Sequence, residues 1–317
     1  GRGRLFSLRH EVRPLPSDPR FIRGMGLSLA ASFVFLPPDQ TSQASSKHIF
    51  WDERPAKAPG GGVRRPFLWF SSPEPRDKRT VIFFHGNAED LQLIEADLFL
   101  FTKAMKCNVL AVEYPGYGLS RQSKGSEEVS FAGVEDVGMH ALAYCCQEQG
   151  IHPSQIVLHG RSLGSAPVLR LAQQAYDLLR WEIGGIILQC PFISIRQVAA
   201  DYAGMAGSLL IPSDCYNNMD ALQRLCPKSG GRFVPILILH GELDKVIKPY
   251  HGRALLQQAL DSGHPAIEGH FPSNATHNHW SLREDLVKPA DSFLQRHVEG
   301  WREEVPWLGN GISLRCF

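Results

Sequence analysis

The sequence has 317 residues and no apolar run long enough to cross a bilayer. About 18 such residues are needed, and the nearest candidate, Met25–Leu36 (MGLSLAASFVFL), stops at Pro37 and Pro38. Charge of one sign is lacking too. With 33 Lys+Arg against 32 Asp+Glu the formal net charge is +1, which gives no overall electrostatic case for a nucleic-acid partner. The seven cysteines are odd in number and show no paired CxxC spacing. That argues against a disulfide framework or a zinc ribbon, and fits a reducing, cytoplasmic compartment. Neither G-x-x-x-x-G-K-[ST] nor a G-x-G-x-x-G opening a helix after a strand occurs, so nucleotide cofactors are poorly supported and no cofactor is expected. What the chain does have is 43% hydrophobic and 9% aromatic residues, too many for disorder and ample for a substantial core.

The first 24 residues hold Arg2, Arg4, Arg9, Arg13, Arg20 and Arg23 against Glu11 and Asp18 only. A basic stretch leading into a short apolar one has three readings. It is a solvated tail plus one helix packed on the domain, a segment lying on an anionic membrane surface, or a signal-like segment without a convincing cleavage site. Gly1 in place of Met is what a fragment or a processed chain would show.

From residue 80 onward, short β-rich apolar runs alternate with helical patterns. Val81–His85, Asn108–Glu113, Gln155–His159, Gly184–Gln189 and Pro235–His240 read as strands. Ala88–Lys106, Glu128–Gln149, Ser165–Leu179, Gly252–Leu260 and Leu286–His297 read as helices. Apolar runs without clean alternation mean strands covered on both faces. Strict alternation of strand and helix implies a mostly parallel sheet with helices on both faces, an α/β fold. Residues 41–80, rich in Pro and Gly, read as a turn-rich antiparallel lead-in to the sheet. The expected organisation is a basic then apolar segment over 1–45, one α/β domain over 46–299 with a small cap at about 191–233, and a tail over 300–317.

The decisive segment is Gly160-Arg161-Ser162-Leu163-Gly164, a G-x-S-x-G with a strand-like run before it and a helix-forming run after. A sharp strand-to-helix turn strains the backbone at the serine and lifts its hydroxyl over the sheet edge, at a helix N-terminus that favours developing negative charge. Such a nucleophile needs an acid and a base, which this architecture supplies in the order Ser, Asp, His. Asp244 follows a strand 82 residues on, and His277 a further 33, before the last helix. His277 would take and return the serine proton, and Asp244 would fix its tautomer. Glu242 is a competing acid, and His270 and His279 are competing bases. A metal reading of the three histidines is poor, because no well-placed carboxylates accompany them. Phe83-Phe84-His85-Gly86-Asn87-Ala88 ends the first long strand. Its loop would supply one oxyanion-hole N–H from Asn87, with Leu163 giving the other.

Together, G-R-S-L-G, H-G-N-A, E-Y-P-G-Y-G (Glu113–Gly118), H-G-E-L-D and T-H-N resemble the α/β-hydrolase superfamily, and within it the Bem46-like branch. The likeness covers roughly residues 25–298 and includes F-L-P-P (Phe35–Pro38) and D-C-Y-N-N-M (Asp214–Met219). It implies an acyl-protein thioesterase that removes palmitate from cysteines of membrane-bound proteins, with Ser162, Asp244 and His277 as triad and an S-acylated protein as substrate. The similar proteins carry a cysteine-rich N-terminus, whereas the first cysteine here is Cys107. Attachment to the cytosolic face of a membrane would then rest on the N-terminal arginines and apolar residues. Lipid-ester hydrolysis, peptide hydrolysis and a catalytically dead scaffold are the alternatives. Tyr202, Met205, Leu209, Leu210 and Ile211 in the cap line an acyl groove or form the cap's own small core. Arg161 has two readings, a contact to an acidic substrate or a pair with a nearby carboxylate.

Overall fold

The computed structural model describes residues 31, 34–38, 46–53, 63–74, 78–122, 128–209, 211–212, 215–226, 233–298, 301 and 313–315. Most of the basic N-terminal segment and of the expected tail therefore lies outside the described residues. The strands are β1 (Ile49–Glu53), β2 (Arg64–Phe70), β3 (Thr80–Phe84), β4 (Asn108–Val112), β5 (Ile156–Arg161), β6 (Gly185–Gln189), β7 (Ile236–Leu239) and β8 (Ile267–His270). They form one sheet in the order β1-β2-β4-β3-β5-β6-β7-β8. The β1–β2 and β2–β4 pairs are antiparallel, and every later pair is parallel. A short antiparallel pair, β9 (His279–Ser281) with β10 (Ser313–Arg315), stands apart from it and places a strand within the expected tail.

The helices are α1 (Leu91–Met105), α2 (Phe131–Ala143), α3 (Ser165–Leu179), α4 (Ile195–Leu209), α5 (Asn218–Arg224), α6 (Tyr250–Asp261) and α7 (Lys288–His297). Successive side chains of a strand point to opposite faces, and here both faces are apolar. Ile82, Phe84, Leu158, Ile186, Leu188, Ile236 and Ile238 enter the core under α2, α3, α5 and α6. Val81, Phe83, Val157, Ile187, Leu237 and Leu239 enter the core under α1 and α7. The unbroken apolar runs of the sequence are thus two interleaved faces, each buried.

Helix ends differ from the sequence reading for local reasons. α1 starts at Leu91 rather than Ala88 because the Asp90 side chain caps it, accepting from the Gln92 and Leu93 N–H groups; such a cap stabilises a helix by about 1 kcal/mol. α2 gives way at Tyr144 to a wider π turn over Tyr144–Glu148. Within the stretch read as a cap, Phe192, Tyr216, Leu222 and Leu225 belong to the same core as α3, so α5 is part of the main helical layer. Ala31, Val34 and Phe35 are buried in that core as well, and Phe35 meets the rings of Phe131 and Tyr216. Among the described residues no helix is long and apolar enough to cross a membrane.

One core histidine makes the fold acid-sensitive. His159 on β5 is buried beside Gln189, its Nε2 3.3 Å from Oε1. Burial, opposed only by that hydrogen bond, pushes its pKa down to about 3. The unfolded chain takes up this proton near pH 6.5, so the contribution of neutral His159 is fully present above that pH and is lost as pH falls toward 3. Urea unfolding at stepped pH is expected to show stability falling over that window, with His159 supplying up to about 1.4 kcal/mol per pH unit. His159→Gln should flatten that share.

Candidate active site

All of the reactive groups stand at the carboxyl ends of the parallel strands. Ser162 follows β5 directly and its backbone lies in the left-handed region, φ 51°. A non-glycine residue there costs roughly 1–3 kcal/mol, which the surroundings must hold. They do so by close approach. A Cβ on Gly160 would stand 2.2 Å from the Gly164 carbonyl oxygen, and one on Gly164 would stand 2.2 Å from that of Phe84. Both flanking glycines are therefore required to press the start of α3 against β3 and β5.

The Ser162 Oγ lies 3.1 Å from His277 Nε2, and His277 Nδ1 lies 2.7 Å from Asp244 Oδ2. The other Asp244 oxygen accepts from the Val246 and Ile247 N–H groups at 2.8 and 2.9 Å. Burial alone would raise the Asp244 carboxyl. Hydrogen bonds from His240 and His277, then the His277 charge, outweigh it and hold the carboxyl well below the usual range. With Nδ1–H donated to Asp244, Nε2 is free to accept the serine proton. Glu242 turns away to pair with Arg253. His279 is exposed and sits 3.3 Å from Thr276 Oγ1, and His270 closes β8.

Arg161, whose role the sequence left between a substrate contact and a carboxylate pair, is buried and ion-paired to Glu89. Its Nη2 also donates to the Asn278 side-chain oxygen at 2.7 Å and to the His277 carbonyl at 3.2 Å. Glu89 in turn accepts from the Gly86 N–H at 2.6 Å. One guanidinium thus joins the serine turn, the loop after β3 and the histidine loop. Nothing in the sequence marks Glu89 as its partner, since the two are 72 residues apart.

The loop His85–Ala88 is braced from the E-Y-P-G-Y-G segment. The Tyr114 hydroxyl donates to the His85 carbonyl at 2.7 Å, the Tyr117 hydroxyl to Asn87 Oδ1 at 2.7 Å, and Glu113 lies 3.3 Å from His85. Asn87 also ties down the chain N-terminal to the sheet, accepting from the Leu36 N–H and donating to the Val34 carbonyl. Behind the triad lies Cys190. Its sulfur, Asp244 and His277 bring ligand-type atoms within 4.8 Å of one another. The 2.7 Å His277–Asp244 contact is a hydrogen bond, closer than the roughly 3.3 Å between two donors on one tetrahedral zinc ion, so the trio as it stands does not fit a metal. Among the described residues, the cap side chains named from the sequence form no buried core of their own. Tyr202, Met205 and Leu209 are exposed, Ile211 is half-buried against the main core, and Leu210 lies outside the described residues.

A glycine-flanked serine with a left-handed backbone, on a mostly parallel sheet and facing His277 and Asp244, decides the fold. The chain has the α/β-hydrolase fold. The profile of the family described as "Serine aminopeptidase, S33" matches residues 75–213. Alpha/beta hydrolase domain-containing protein 17C of Xenopus tropicalis is 29% identical over 225 residues, which cover 71% of this chain and 64% of that protein. The human protein of the same name is 27% identical over 224 residues, covering 71% and 60%. This chain thus spans less than two thirds of the length of those relatives. Among solved structures, an alpha-beta hydrolase from Vibrio vulnificus superposes with a TM-score of 0.55 at 19% identity, over 75% of this chain and 76% of that one. A Pyrococcus furiosus esterase does so with 0.57 at 14%, over 83% and 98%.

The Arg161–Glu89 pair gives a test of this architecture. Arg161→Ala leaves a buried carboxylate unpaired, which costs about 3–5 kcal/mol. The Arg161→Ala/Glu89→Gln double variant removes that charge and should regain part of the loss in urea unfolding.

Proposed function

We propose that this protein is a serine hydrolase that cleaves fatty-acyl thioesters of S-acylated proteins, with Ser162 as nucleophile, His277 as general base and acid, and Asp244 as the orienting carboxylate. The observation that carries the proposal is the unbroken relay of 3.1 and 2.7 Å from the serine hydroxyl through the imidazole to the carboxylate.

In the first half-reaction, the Ser162 hydroxyl proton passes to His277 Nε2 as Oγ bonds to the thioester carbonyl carbon. The oxyanion so formed is held by the Asn87 and Leu163 N–H groups. Its collapse breaks the carbon–sulfur bond, and the departing thiolate takes the proton from His277. Water then attacks the acyl-serine, giving its proton to His277, which returns one to Ser162 Oγ as the fatty acid leaves. A thiolate leaves more readily than an alkoxide, so acid assistance is needed less in the first half-reaction than it would be for an ester.

Support for the thioester reading comes from the resemblance of the motifs to depalmitoylating Bem46-like proteins. The peptidase reading is favoured by the description of the family that matches residues 75–213. Turnover of an S-palmitoylated peptide, a monoacylglycerol and a peptide amide by the same preparation separates the three. Cleavage of the thioester, lost by at least about 10³-fold in Ser162→Ala and in His277→Ala, is the expected result. Preference for the glycerol ester or the amide keeps the triad and moves the substrate class. Labelling of Ser162 by a fluorophosphonate, with no turnover of any of the three, would sink the thioester assignment while leaving a competent nucleophile.

A further inference from the structure

A helix on a globular domain normally buries one apolar stripe, and α4 does so only in part. None of its residues is fully buried. Ile195 and Val198 pack against the core. The helix then breaks at Ala203 and Gly204, where Gly204 adopts φ 62° and ψ −158°. A Cβ at Gly204 would meet nothing within 4 Å, so the glycine serves the bend and not a close contact. Tyr202 before the bend and Met205 and Leu209 after it are 65%, 79% and 69% exposed.

These side chains do not stand alone. The Tyr202 hydroxyl donates to the Val246 carbonyl at 2.8 Å, which fastens α4 to the loop that carries Asp244. On that loop Leu243 and Val246 are 51% and 45% exposed. Tyr250 follows at the start of α6, and Leu36 is exposed where its N–H meets Asn87. Of the twelve exposed large apolar side chains among the described residues, Tyr202, Leu243, Val246 and Tyr250 lie on elements bonded to one another beside Asp244, Met205 and Leu209 continue the same helix beyond its bend, and Leu36 adjoins the Asn87 loop. Scattered apolar residues on a surface need no account, but a cluster around a site mouth does.

The charges around the cluster name its partner. Lys245 and Lys248 are exposed and alternate with Leu243 and Val246, and Arg196 stands on α4. Among the described residues, the acidic groups nearby are already held. Asp201 accepts from the Tyr250 hydroxyl and faces His251 and Lys248, and Glu242 pairs with Arg253. Arg196, Lys245, Lys248 and Arg253 thus outnumber Asp201 and Glu242, and apolar side chains interleaved with that excess positive charge suit the interface of an anionic bilayer. A second copy of the chain suits it poorly, because a two-fold contact sets the same patch against itself and so brings its lysines together.

We propose that the second half of α4, from the bend onward, together with Leu243–Lys248 is a docking surface for an anionic lipid leaflet. It seats the mouth of the site on the membrane, so that a fatty-acyl chain passes from lipid to Ser162 without crossing water. The acyl route rests on the thioester reading above, whereas the docking itself does not.

The test uses the full chain carrying Ser162→Ala, so that binding is read without turnover. The probes are phosphatidylcholine vesicles with and without phosphatidylserine. Met205→Glu/Leu209→Glu is expected to weaken co-sedimentation with the anionic vesicles at least tenfold. Lys245→Glu is expected to weaken it about fivefold or more, an effect that added salt abolishes. Leu178→Glu/Leu260→Glu, at exposed apolar positions elsewhere, should change it less than twofold. Circular dichroism melts identify any variant that fails to fold. A parent chain that binds neither vesicle overturns the proposal. So does a Met205→Glu/Leu209→Glu chain that binds as well as its parent, since any binding through the N-terminal arginines would persist in both. Concentration-dependent self-association in sedimentation velocity, abolished by the same substitutions, would assign the face to a second copy and overturn it too. If the substitutions abolish docking while wild-type Ser162 protein cleaves no thioester, the surface stands and only the substrate reading falls.

Discussion

Everything at this site depends on how closely two backbones can approach at one turn. The Ser162 backbone stays in a left-handed conformation because the first residues of α3 lie against the ends of β3 and β5 with no room for a Cβ at Gly160 or Gly164. That contact fixes where the hydroxyl points, and it gives the helix N-terminus and the strand ends a common origin. The remaining functional groups are then placed by strand order alone. Asp244 and His277 come from loops beyond β7 and β8, two strands that extend the sheet from β6 without any change in direction. The parallel register thus carries the geometry of a turn at residue 162 to an imidazole more than a hundred residues later.

The loops themselves are soft by comparison, and what stiffens them is polar and buried. Arg161 reaches from the serine turn to the histidine loop on one side and, through Glu89, to the loop after β3 on the other. Tyr114, Tyr117 and Glu113 hold that second loop from behind. Buried groups of this kind give little net stability for their cost, so their presence is better understood as alignment. They make the relative positions of three loops depend on hydrogen-bond lengths instead of apolar packing, which tolerates slippage.

How much of this was legible in the sequence follows from which signals are local. Both faces of β3 and β5 are apolar, so each reads as an unbroken hydrophobic run that leaves little choice but a covered strand. The glycines around Ser162 reveal themselves because only glycine meets the steric demand. The chain order of Ser162, Asp244 and His277 could be read from spacing, and the structure brings those three side chains together. The Arg161–Glu89 pair could not be read, because an arginine beside a nucleophile has many candidate carboxylates and the partner is chosen by the fold. Nor could the fate of the cap: Tyr202, Met205 and Leu209 have the same spacing whether they point inward or outward. The end of α2 was lost for another reason, since the sequence stays helix-forming past Tyr144 and only the hydrogen-bond pattern changes.

Cys190 bears on how selective the site is toward electrophiles. Its sulfur stands within 4.8 Å of Asp244 and His277 ligand atoms, fully buried, and burial followed by the Asp244 charge pushes the thiol far up, so that it keeps its proton. The thiol faces the Asp244 carboxylate, whereas the Ser162 hydroxyl faces the free nitrogen of the His277 imidazole. Reagents that distinguish sulfur from oxygen by thiolate character will therefore treat this centre as purely oxygen-based. The thiol stays there as a protonated group that shares the Asp244 carboxylate with His277.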